Sequence, residues 1–88
     1  MRFVAIFNQF QVPHTRGFAN ADEALDFLFR GYEDQQLLPF GIYDQLTDQI
    51  TAYTHAGQLI HSIREESMRV TAKRHLAMSH LPTVTKLA

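Results

Sequence analysis

Cysteine and tryptophan are absent from this chain, and glycine and proline are scarce, at four and three residues. Without cysteine there is no disulfide, no thiolate metal site and no thiol nucleophile. Gly17, Gly31, Gly41 and Gly57 stand too far apart for a phosphate-cradling loop. Nor does any serine or threonine sit in a pattern that marks an activated nucleophile. Long apolar runs are missing too. Phe3–Phe7 stops at Asn8, well short of the ~20 residues of a membrane helix or the core of a signal peptide. The expectation is a cytoplasmic protein with no membrane partner and no cofactor.

Charge of one sign is lacking overall but not locally. The net charge of the 88 residues is −1. Through Gly57 the basic residues are Arg2, Arg16 and Arg30 against seven acids, whereas beyond it Arg64, Arg69, Lys73, Arg74 and Lys86 outnumber Glu65 and Glu66. That basic C-terminal part is the one electrostatic hint of a polyanionic partner.

What is present reads as a small α+β domain. Phe3 to Phe7 is apolar without alternation, the pattern of a strand covered on both faces. Gln9–Ala19 contains Pro13 and Gly17 and has no helical period, so it reads as a long loop, with a short return strand near Thr15–Phe18 as a variant. Asn20 followed by Glu23 forms a capping box that opens a helix over about Ala21–Gln35. Its residues Ala21, Ala24, Leu25, Phe27, Leu28, Phe29 and Tyr32 spread over an arc of about 200°. One sheet face would cover about half of that arc.

Phe40–Asp44 and Gln49–His55 read as two antiparallel strands. Asp44 opens the turn between them, and Asp48 suits a left-handed position in it. Ser62 and Glu65 make a second capping box, for a helix over about Ile63–Ser79 that Pro82 ends. That helix carries two narrow apolar stripes, Ile63, Val70, Ala77 and Leu81 against Met68, Ala72 and Leu76.

The order β-α-β-β-α, with an optional last strand at Thr83–Lys86, implies an antiparallel sheet of three to four strands with two helices on one face. The ferredoxin-like arrangement is one form of it. Residues 1–81 form the single domain and 82–88 a tail or short strand.

Three functional readings follow. The first is a non-enzymatic protein-interaction domain, expected as a homodimer, with Phe27, Phe29, Met68 and Leu76 as interface candidates. Three faces look too apolar for a two-layer monomer, and aromatic residues and methionine are enriched at interfaces. The loop 9–19, folding back with Phe10, Val12 and Phe18, would be the competing cover for the open sheet face. The second is a nucleic-acid accessory protein using Arg69, Lys73 and His80 on the last helix, although a pI near 6.5 and the Glu65–Arg69 spacing weaken it. The third is an enzyme with a polar rim site. The helical crossover makes the first and second strands run parallel, so Asn8, His14, Arg16 and Asp44 share one edge and could do acid–base work. Metal is not expected, because His75 and His80 are five residues apart and diverge on a helix.

Overall fold

Phe10 and Gln11 both hold positive φ, 53° and 64°. Two such residues in succession are the signature of a two-residue hairpin turn, which normally recruits Asn and Gly. This one joins β1 (Phe3–Gln9) to β2 (Val12–Phe18), so the expected long loop is in fact a turn and a full strand. The computed structural model describes residues 1–59 and 65–79. After β2 come α1 (Ala21–Glu33), β3 (Leu38–Asp44), β4 (Gln49–Ala52), the short β5 (Thr54–His55) and β6 (Gln58–Leu59), and α2 (Glu65–Ser79). Thr83–Lys86, Ser62, His61 and His80 lie outside the described residues.

The main sheet has the order β2-β1-β3-β4 and is antiparallel throughout, with β5 and β6 as a separate hairpin. The α+β class, the antiparallel sheet of four strands and the two helices agree with the sequence. The element order differs, because β2 precedes α1. Since β2 reverses the chain once more, β1 and β3 run antiparallel, not parallel.

The helices also sit differently. Val4 and Ile6 of β1 pack with Met68 and Ala72 of α2, while Ala5 and Phe7 pack with Ala24 and Leu28 of α1. Successive strand residues point to opposite faces, so α1 and α2 cover opposite sides and the protein has three layers. A ferredoxin-like sheet carries both helices on one face, and that arrangement is therefore set aside. The unalternating run Phe3–Phe7 has its explanation in a helix on each side.

One irregularity allows both faces to be filled. Ile6 pairs with Gly41 but Phe7 pairs with Pro39, leaving Phe40 as the extra residue of a β-bulge. The bulge admits Pro39 to a central strand, where a proline would otherwise break the ladder. It also keeps Phe40 and Tyr43 on the α2 side while Ile42 faces α1.

Local signals in α1 are as read. The Asn20 side chain accepts from the Glu23 backbone N–H at 2.8 Å, as an N-cap should. The helix ends two residues earlier than expected, in a Schellman closure. Gln35 takes positive φ, its N–H donates to the Tyr32 carbonyl, and the Gln36 N–H donates to that of Gly31.

Gly41 faces α2, and a Cβ there would lie 2.6 Å from the Thr51 carbonyl oxygen and 3.0 Å from Met68 Sδ. Backbone on the one side and a buried core side chain on the other leave little room to yield. Gly41→Ala is expected to cost about 1–3 kcal/mol, read as a lower denaturation midpoint at unchanged m-value.

Candidate functional site

The β3–β4 turn is built around its two aspartates as anticipated. Asp44 Oδ1 accepts from the Leu46 N–H at 3.0 Å, and Asp48 takes φ 59°. Asp44 is also gripped by Arg2 through two hydrogen bonds of 2.9 Å. That contact holds the Asp44 carboxyl down at about 2. Because the folded value is depressed, the pair's contribution is complete above the unfolded carboxylate value of roughly 4 and fades as pH falls toward 2.

Asp48 receives the Tyr43 hydroxyl at 2.6 Å, which lowers the aspartate and raises the phenol. Arg69 adds an ion pair to the same carboxylate at 3.4 Å, and its Nη2 donates to the Asp48 carbonyl at 3.1 Å. Glu65 and Glu66 flank Arg69, each at 3.6 Å. With its side chain only 19% exposed, Arg69 is a clamp between α2 and the turn. Arg69, one of the three candidates for nucleic-acid contact, is thus not free. Lys73 also leans toward Asp48, at 3.7 Å, from an exposed position.

The rim of Asn8, His14, Arg16 and Asp44 does not assemble. Asn8 stands opposite Leu38 and Pro13, whereas Asp44 stands opposite Phe3, at the other end of β1. His14 and Arg16 do come together, on the α1 side of β2. They open into a groove of about 620 Å³ between β2 and α1, floored by Phe7 and Leu37 and walled by Phe27 and Asp26. His14 stacks on Phe7 at 5.7 Å between centroids, and the Arg16 guanidinium lies over Phe27 at 5.0 Å and Phe18 at 5.4 Å. Among the described residues Arg16 has no ion pair, while Asp26 is taken by Arg30 at 2.9 Å.

On the other flank of α1 a second cluster forms. His55 stacks on Phe29 at 5.0 Å and meets the edge of Tyr32 at 4.8 Å. Its Nε2 lies 2.7 Å from the Glu33 carboxylate and its Nδ1 2.9 Å from the Tyr53 hydroxyl. Both ring nitrogens are therefore engaged, one by a carboxylate and the other by a phenol. Burial, then Glu33, raises Tyr53, which keeps it a donor. This chain fastens the β5–β6 hairpin to the end of α1. Nothing in the sequence spacing of Glu33, Tyr53 and His55 signalled it.

The four interface candidates separate. Met68 is 2% exposed and belongs to the core under α2, so it is not available to a partner. Leu76 packs half-buried against that core, and Phe27 is half-buried against Phe7 and Phe18. Phe29 is 49% exposed, one turn from Leu25 at 44%. The outer stripe of α2 retains Val70 and Ala77 in solvent, with Ile63 and Leu81 outside the described residues.

Among the described residues no group of three His, Asp or Glu is placed to hold a metal, and no helix is long and apolar enough to cross a membrane. Arg69 and Lys73 make a sharp pair for measurement. Arg69→Gln is expected to cost about 1–2 kcal/mol through lost charge-assisted bonds, and Lys73→Gln less than about 0.5 kcal/mol, both read by thermal melting. Against family models, curated proteins and solved structures alike, the chain finds no match.

Proposed function

We propose that this chain is a non-enzymatic protein-interaction domain that works as a homodimer, its two copies meeting along β4 and the adjoining flank of α1. The observation that carries the reading is the exposure of Leu25 and Phe29 on a helix whose other large apolar side chains are buried or half-buried. His55, which follows β4 closely, stacks on Phe29, so this flank faces the β4 side of the sheet.

Apolar contact alone is too little. The half of Leu25 and Phe29 still in water is worth roughly 1 kcal/mol each, about 4 kcal/mol over two copies, and association costs about 4–15 kcal/mol. Strand pairing has to supply the rest. β4 is an outer strand of the sheet, and its residues Gln49, Ile50, Thr51 and Ala52 carry no charge. Two identical β4 strands can therefore pair about a two-fold axis without setting like charges opposite each other.

Sedimentation at about 100 μM, where a contact of modest affinity is populated, tests the reading. The expected result is twice the mass of one chain, falling to a single mass for Leu25→Glu with Phe29→Glu, with the circular dichroism unchanged. A wild-type protein that stays at one chain mass overturns it.

A further inference from the structure

The opposite edge of the sheet is open in a different way. β2 has seven residues, pairs with β1 without a register shift, and has no strand on its outer side among the described residues. Gln9 and Val12 close a two-residue turn, which makes them a hydrogen-bonded pair. Alternation then turns the backbone groups of Pro13, Thr15 and Gly17 away from β1. Pro13 has no N–H to offer, so its place there costs the ladder nothing. Among the described residues nothing bonds the outward N–H and C=O groups of Thr15 and Gly17, which stand ready for whatever lies alongside.

Side chains on this edge decide what that is. Val12, His14, Arg16 and Phe18 share the α1 side, because they stand opposite Gln9, Phe7, Ala5 and Phe3. A strand added at Thr15 and Gly17 sets its own residue directly opposite Arg16 at a non-hydrogen-bonded position, where side chains approach closest. Pairing with a second copy of β2 would put Arg16 or His14 in that place, and neither brings the guanidinium the carboxylate that an opposite-charge pair needs. The carboxylates on the helix wall do not neutralise Arg16. Asp26 is held by Arg30, and Glu23 accepts a hydrogen bond from the Asn20 side chain at 3.0 Å. Among the described residues Arg16 rests only on the rings of Phe18 and Phe27, with its charge unspent.

We propose that the open edge of β2 receives an extended strand of another protein, carrying an acidic side chain opposite Arg16. The backbone of Thr15 and Gly17 holds the strand, and the neighbouring side chains on its α1 face settle into the groove between β2 and α1. Electrostatic complementarity at Arg16 selects among strands, since backbone bonds alone do not discriminate. This surface is separate from β4, so it stands or falls independently of the homodimer.

An octapeptide alternating glutamate with valine is the probe, with a twin in which lysine replaces glutamate, titrated into the 15N-labelled full chain. The glutamate peptide is expected to shift the Thr15 and Gly17 amides and to bind at least about tenfold more tightly than the lysine twin. Arg16→Ala should remove that preference, and Arg16→Glu should reverse it, both at unchanged melting temperature because Arg16 is exposed. Overturning results are equal binding of the twins, no binding at about 1 mM, or shifts centred on Gln49–Ala52. Shifts of Thr15 and Gly17 that track protein concentration without peptide would overturn it too, by naming a second copy as the occupant.

Discussion

Both faces of β1 have to be kept from water, and the rest of the structure answers that demand. Val4, Ala5, Ile6 and Phe7 are all buried, two toward α2 and two toward α1. A single layer of helices could satisfy only half of them. The chain therefore places α1 on one side, carries β3 and β4 across, and brings α2 over the other. The bulge at Phe40 follows from the same demand, since it lets β3 feed both cores while a proline sits in its interior. Arg69 and Asp48 then tie α2 to the turn that ends β3.

Covering the middle of the sheet twice leaves its margins thin. α1 is one helix wide over a four-stranded sheet, so it cannot reach both edges. On the β2 side the gap is the groove containing His14 and Arg16. On the β4 side the gap leaves Leu25 and Phe29 in solvent, partly screened by His55. The two edges differ in charge, neutral at β4 and cationic at β2. That difference separates a surface suited to an identical copy from one suited to an acidic strand.

Much of this was legible in the residues, and the exceptions have physical causes. The run Phe3–Phe7 announced two-sided burial, Asn20 and Glu23 announced the start of α1, and Asp44 and Asp48 announced their turn. One sheet face was expected to cover about half of the α1 arc, and Leu25 and Phe29 lie in the half it does not cover. The hairpin of β1 and β2 carries no turn signal in the sequence, because Phe10 and Gln11 occupy positions that turn chemistry reserves for Asn and Gly. Pro13 and Gly17 then looked like loop residues, although both fall where β2 makes no ladder bond to β1. Without β2, β3 would run parallel to β1, and the rim of Asn8, His14, Arg16 and Asp44 depends on that direction. Arg69 was read as a surface cation because its partner, Asp48, is remote in sequence and close only once the helices take opposite faces.

Native-state hydrogen exchange of the unliganded protein examines the central claim, a sheet sealed in the middle and open at β2, residue by residue. The amides of Val4, Ala5, Ile6 and Phe7 should exchange only through global unfolding. Those of Thr15 and Gly17, pointing outward from an edge, should exchange orders of magnitude faster despite sitting inside a regular strand. Equal protection of Thr15, Gly17 and the β1 amides would contradict the account, because it would mean that β2 already has a neighbour.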